Sequence, residues 1–221
     1  MGLFNRRKPP VSVSFTSRAS DPEQPDQTIE LRNGTESGLR PVLRFVAHDF
    51  YGRELPNVEV GTVLGIDRGD VIALPGSTAK DVLHFHGQGA RNVRGVAVHV
   101  EHIEEVDVAG ATLPPEAVMV DLEERATLDP ADFWGVGLVN RNEVPISVSV
   151  TLVEYEERLK DAPRQAVDAV TLEGVVDLAS QSHEVLWLPE EVRGRFHAAF
   201  AHLVVPWAGP PEPGPAPEPD A

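Results

Sequence analysis

The chain has 221 residues, enough for one large domain or two ordinary ones, and its composition, 41% hydrophobic and 24% charged, is that of a protein with a buried core. Cysteine is absent, which excludes disulfides and thiolate metal sites and fits a reducing, cytoplasmic setting. A formal charge of -16 repels phosphate backbones and argues against nucleic acid as a partner.

Residues 1–10, MGLFNRRKPP, place Arg6, Arg7 and Lys8 ahead of two prolines, with no apolar stretch behind them. They read as a disordered basic leader and not as a signal peptide. The myristoylation pattern fails because Arg6 stands where Ser or Thr is required. Three cations leave room for a weak contact with an anionic membrane surface. No run approaches the roughly 20 apolar residues of a membrane helix, so no transmembrane segment is expected.

From Val11 onward, short apolar-alternating runs are separated by turn residues. Strands are predicted near 11–17, 28–33, 41–49, 58–65, 70–74, 80–86 and 93–102. Turn signals fall between them at Asn33-Gly34, Tyr51-Gly52 and Pro75-Gly76. The pattern then starts again. A shift of 107 positions superposes the two halves from Val11 to Asp49: Val11 falls on Val118, Arg18 on Arg125, Leu31 on Leu138, Asn33 on Asn140 and Val46 on Val153. Further on, Leu74 falls on Leu178, Val82 on Val185, and His99 on His202. Order is kept and most matched positions are apolar, the signature of an internal duplication.

The repeat resolves local ambiguity. Val192, Phe196, Phe200 and Leu203 recur at helical spacing, but the matching first-half stretch alternates Val96, Val98 and Val100. Both are therefore read as strands. By the same logic Val118, Val120 and Leu122 should face a core, as Val11, Val13 and Phe15 do. Second-half strands are predicted near 117–124, 135–140, 146–155, 166–172, 175–178, 183–188 and 196–205. About seven short strands in each hundred residues predict an all-β fold: two tandem immunoglobulin-like β-sandwich domains with separately packed cores. The boundaries are 11–107 and 117–207, joined by a linker at 108–116 containing Gly110 and Pro114-Pro115. Residues 208–221, AGPPEPGPAPEPDA, form a Pro-rich, acidic, disordered tail.

The run from Val71 through Leu74-Pro75-Gly76 to Val82, and the Asn-rich turn leading into Val42–Asp49, resemble the strand–turn–strand and hairpin of bacterial immunoglobulin-like and fibronectin-III-like modules. In the second half Ala179-Ser180 replace Pro75-Gly76. The resemblance implies a fold and leaves function open.

Chemistry is sparse. His84 and His86 point to one side of a predicted strand, and His99 and Glu101 share that spacing on another; if those strands pair, the four could hold zinc. His99, recurring as His202, equally suits a half-buried ring bonded to backbone. Glu101, Glu104, Glu105 and Asp107 form a cluster that could hold calcium at the domain junction, or simply a solvated linker. Arg68-Gly69-Asp70 and Asn33-Gly34-Thr35 spell an adhesion tripeptide and a glycosylation sequon, both read as turns. No nucleophile elbow or phosphate loop is present, so no catalytic residue and no cofactor is expected. Trp187, on a predicted core strand, should pack inside, while Trp134 and Trp207 should cover one edge of the second domain or mark a binding patch. These readings lead to a non-enzymatic interaction or scaffold module with a protein partner, and to a metal- or ligand-binding module as the alternative.

Overall fold

The computed structural model describes residues 11–20, 25–157 and 163–204. The basic leader, Trp207 and the Pro-rich tail lie outside the described residues. The described chain is all-β, with antiparallel sheets and no helix beyond single 3-10 turns.

In the first half, β1 (Val11–Thr16), β2 (Thr28–Asn33), β5 (Thr78–Gly87) and β4 (Val58–Thr62) form one sheet in the order β1-β2-β5-β4. A two-stranded sheet pairs β3 (Gly38–His48) with β6 (Gly95–Val106). The strand expected at 70–74 shrinks to one bridge, Leu39 with Ala73.

In the second half, β7 (Glu116–Val120), β8 (Gly135–Asn140) and β12 (Ser182–Trp187) form a sheet in the order β12-β8-β7. A second sheet centres on β9 (Ile146–Tyr155). It is flanked by β10 (Ala166–Thr171) and β11 (Val176–Leu178), and by β13 (Ala198–Leu203). Residues 198–203 pair with β9 as a strand despite their helical spacing. Pairing along β9 satisfies backbone groups that an isolated helical turn would leave in contact with the core.

The halves close in a recurring way. Buried Asn33 donates to the carbonyls of Ser37, Ala73 and Leu74 at 2.7, 3.0 and 3.1 Å. Buried Asn140 donates to Val144, Leu178 and Ala179 at 2.9, 3.5 and 2.8 Å. Ser77 and Ser182 each cap the turn that follows, donating to Leu74 O and Ala179 O. Each turn carries a left-handed residue, Gly76 (φ +66°) and Gln181 (φ +49°). These bonds match Leu178 with Ala73, and Pro75-Gly76 with Ser180-Gln181, one residue away from the expected match of Leu74 with Leu178 and of Pro75-Gly76 with Ala179-Ser180.

The first strand is a larger correction. Val13 stands opposite Leu31, and Ala117 stands opposite Leu138. Val13 therefore corresponds to Ala117, 104 positions on, whereas the gapless reading used 107. An odd slip of three residues turns every side chain to the other face. Val118 and Leu122, expected in the core, are 41% and 56% exposed; Met119 is buried in their place. Val120 is buried too, but from the outer side of its sheet, where the chain folds back to bridge it with Ala126.

Two apolar cores result. One gathers Ile29, Leu31, Leu43, Leu83 and Phe85. The other gathers Val136, Leu138, Val150, Leu152, Leu188 and Phe196, with Leu74 reaching in from the first half. The sequence predicts separately packed cores; instead Val82 of β5 packs with Val153, Tyr155 and Ala166 in a third cluster that joins the halves. Burying two valines completely contributes roughly 1.5–3 kcal/mol each to that junction.

Candidate functional site

The metal candidates do not assemble. His84 and His86 share one face of β5, with His86 Nε2 3.0 Å from His84 Nδ1 and ring centroids 4.6 Å apart. The His84 ring lies over Gly61 on the paired strand, where a Cβ would collide with it. Burial lowers the His84 pKa, and the neighbouring His86 lowers it further. His99 and Glu101 sit on β6 in a different sheet, because β5 pairs with β2 and β4 and not with β6. His99 is exposed opposite Arg44, and Glu101 forms an ion pair with Arg44 at 3.1 Å. Among the described residues no three His, Asp or Glu side chains are grouped as a metal would need.

The junction carboxylates are likewise dispersed. Glu104 pairs with Arg40 at 3.1 Å, Glu105 accepts from Ser37 Oγ, and Asp107 accepts from the Ala109 N–H. His202 stands opposite Ser149, as His102 stands opposite Val42, so its counterpart is His102 and not His99. The ring is half-buried with Nδ1 unpartnered among the described residues, and burial lowers its pKa. In the adhesion-like tripeptide, Arg68 is tied to Asp67 and Asp70. The sequon asparagine is the buried Asn33 just described.

Asp81 is a buried carboxylate with a structural task. It accepts from the N–H groups of Leu64, Ile66 and Val82 at 2.8, 2.9 and 2.7 Å, closing the loop after β4. Desolvation nevertheless dominates and raises its pKa to about 6. Nearby, Arg164 covers the Tyr155 ring at 4.5 Å, and its backbone N–H donates to Asp26 at 2.7 Å, tying the second half to the first.

Two clefts lie along the junction. One, of about 330 Å³, is lined by Leu64, Ile72, Thr78, Pro115, Ala117 and Phe200 among others. The second, of about 500 Å³, adds Arg40, Arg68, Asp70, Thr171 and His202. The arginines there are already neutralised by Glu104, Asp67 and Asp70.

The least expected surface is the outer face of the β12-β8-β7 sheet. Register places Val118, Gly137 and Val185 in one row, Val120, Gly135 and Trp187 in the next, and Glu116, Val139 and His183 at the end. The corresponding rows of the first half are Ser14, Glu30 and Lys80; Thr16, Thr28 and Val82; and Ser12, Arg32 and Thr78. There the central row holds a 3.0 Å Lys80–Glu30 ion pair, as a solvated face should. In the second half the same row is two valines around a glycine. Trp187, expected in the core, is 46% exposed. A groove of about 260 Å³ runs over Gly137 between Val118, Val139, His183 and Val185, with Glu124 on its rim.

Sequence reasoning missed this face because the misplaced register of β7 turned Val118 inward. The signal was nonetheless present: Gly135-Val136-Gly137-Leu138 puts glycine at alternate positions, leaving one side of the strand bare. Sequence reasoning also missed Phe50 and Tyr51, 80% and 77% exposed on a tight turn. That turn is held by Asp49, which accepts from the N–H groups of Tyr51 and Arg53 and from Arg53 Nε.

A scan against family models returns no match for this chain, and searches of curated proteins and of solved structures return none either. Among the described residues no helix is long and apolar enough to cross a membrane.

Proposed function

We propose that this chain is a non-enzymatic protein-interaction module of the cytoplasm. On this reading it is built from two tandem immunoglobulin-like β-sandwiches that arose by duplication, and it offers the outer face of β12-β8-β7 to a protein partner. The observation that carries the reading is the contrast at Val82 and Trp187, which hold the same position in their sheets. Val82 is covered by the second half of the molecule, while Trp187 is left open beside Val118 and Val185. An apolar, partly grooved face on an otherwise strongly acidic chain is a surface that gains by being covered. The recurring Asn33 and Asn140 closures, with Ser77 and Ser182 behind them, support the duplication.

The test compares wild-type protein with the Val118→Lys/Val185→Lys double variant as immobilised bait in native lysate. A protein partner held at stoichiometric level by the wild type and released by the double variant supports the reading. Equal capture by both, or capture by neither at high bait concentration, refutes it. The substituted side chains point to solvent, so both forms should fold equally well, which circular dichroism and a melting curve verify.

A further inference from the structure

We infer that a second copy of this chain pairs with the open edge of β6, antiparallel about a two-fold axis at Val98. The inference concerns the first half and stands independently of the face proposed above.

The edge is open and pairable. Among the described residues β3 is the one strand beside β6. Leu39 exchanges main-chain bonds with Ala73, and Ala47 accepts from the Leu55 N–H, both on the side of β3 away from β6. Antiparallel alternation then points the N–H and C=O of Val96, opposite Ala47, toward the open edge, and those of Val98 and Val100 with them. No Asp, Glu, Lys or Arg interrupts Gly95–Val100. The first irregularity is Glu101, the extra residue of a bulge between Val100 and His102.

The valine row is incompletely covered. Val96, Val98 and Val100 stand opposite Ala47, Phe45 and Leu43 on the core side of the sheet, yet none is buried, and Val100 is 49% exposed. β13 holds the same place against β9 and shows a covered edge. Ala199 and Ala201 stand there in the positions of Val98 and Val100. They line the junction cleft with Pro115 and Ala117, and Phe200 between them packs on the first half.

Charge selects a second copy as the occupant. Arg91 and Arg94 precede β6, and Glu101, Glu104 and Glu105 lie in its last half. Antiparallel pairing sets Val98 opposite Val98 and Val96 opposite Val100, and lays each basic end along the acidic end of the other copy. Parallel pairing would place like charge beside like. Arg94 donates to the carbonyls of Arg91 and Val93 and meets no carboxylate among the described residues. Glu101 and Glu104 are met by Arg44 and Arg40, which leaves Glu105, bonded to the Ser37 hydroxyl, without a cation. Because the contact is isologous, Val96 covers the exposed side of Val100 at both ends of the seam. A seam of Val96–Val100 between chains of net charge -16 makes a weak dimer.

The absence of cysteine allows the register to be read by cross-linking of full-length variants under mild oxidation. Residues of a hydrogen-bonded antiparallel pair have Cα atoms about 5.5 Å apart, within disulfide range. Val98→Cys should therefore form a covalent dimer by itself. Val96→Cys and Val100→Cys should each stay monomeric alone, with like positions about 14 Å apart, and should cross-link when mixed. The sedimenting mass of the wild type should rise toward that of a dimer with concentration. A wild type that stays monomeric up to its solubility limit overturns the inference, as does absence of the Val98→Cys dimer. Equal cross-linking of Val118→Cys also overturns it, since that marks random collision. Adding Val118→Lys/Val185→Lys to Val98→Cys should leave the dimer yield unchanged. Loss of the dimer there would place the second copy on the β12-β8-β7 face instead, so failure of this seam and failure of the interaction face are told apart.

Discussion

The two three-strand faces, β1-β2-β5 and β7-β8-β12, are built on one register and do opposite things with it. In the first, the outer row Ser14, Glu30 and Lys80 is charged, and the one apolar corner, Val82, is covered by the other half. In the second, the same row is Val118, Gly137 and Val185, and the corner, Trp187, is open. The edges differ as well. β4 pairs with β5 and closes the first sheet, whereas β10 pairs with β9 and leaves β12 at the edge. The open strand carries Glu184 on its core-facing side, where β5 has Ala79. An inward-pointing charge on an edge strand discourages pairing with other chains. The second half thus protects its edge and exposes its face. A fold can hold its strand pairing while the side chains on its outer rows decide whether the surface is solvent or interface.

The sharpest way to break this comparison is to remove the feature both halves share. Asn33→Ala and Asn140→Ala each remove the two amide hydrogens that three carbonyls share, at about 1 kcal/mol per hydrogen bond. Urea unfolding should show losses of about 2 kcal/mol, similar for the two variants. A small loss at one site alone would mean that the halves do not rest on the same closure.

A second test uses a difference inside the cores. Asp81 on β5 corresponds to Leu186 on β12, so only the first half carries a buried carboxyl there. Its pKa is about 6, raised from 3.8. A carboxyl raised on folding contributes its stability fully below the unfolded value and loses it as pH rises through about 6. Stability should therefore fall by about 3 kcal/mol between pH 4 and pH 7, as an order of magnitude. Asp81→Asn should flatten that slope in urea titrations at several pH values; an unchanged slope would assign it to other groups.

Two five-residue turns offer a finer comparison. Asp49–Arg53 and Asp121–Arg125 are closed by the same bonds, with the carboxylate accepting from two backbone N–H groups and from the arginine. The fourth residue is left-handed in both, Gly52 at φ +76° and Glu124 at +62°. Glu124→Gly should stabilise and Gly52→Glu destabilise, each by about 0.5–1 kcal/mol in thermal or chemical unfolding. The smallest effect is expected for Val185→Lys, within about 0.5 kcal/mol of wild type, since its side chain faces outward. A larger loss would show that the face belongs to the core of the free molecule.

Much of the architecture was legible in the residues. Period-two alternation marked β1, β2, β3 and β9. The match of Asn33 with Asn140 identified the two positions that close the halves, and the first-half pattern overruled the helical spacing of Phe196, Phe200 and Leu203. The site was not legible. The four zinc candidates depended on β5 lying beside β6, and sequence carries no statement of which strands pair.

What the sequence determined by itself is the all-β character, the positions of most strands, and the absence of thiol chemistry, because each follows from local periodicity and composition. What only tertiary structure decided is the face each strand presents and what lies against it. Side-chain direction alternates with every residue, so a slip of three between β1 and β7 reverses inside and outside without altering the local pattern. The sheet partner alone selects between those two outcomes. It is the pairing of Ala117 with Leu138 that turned Val118 outward and made a surface of it.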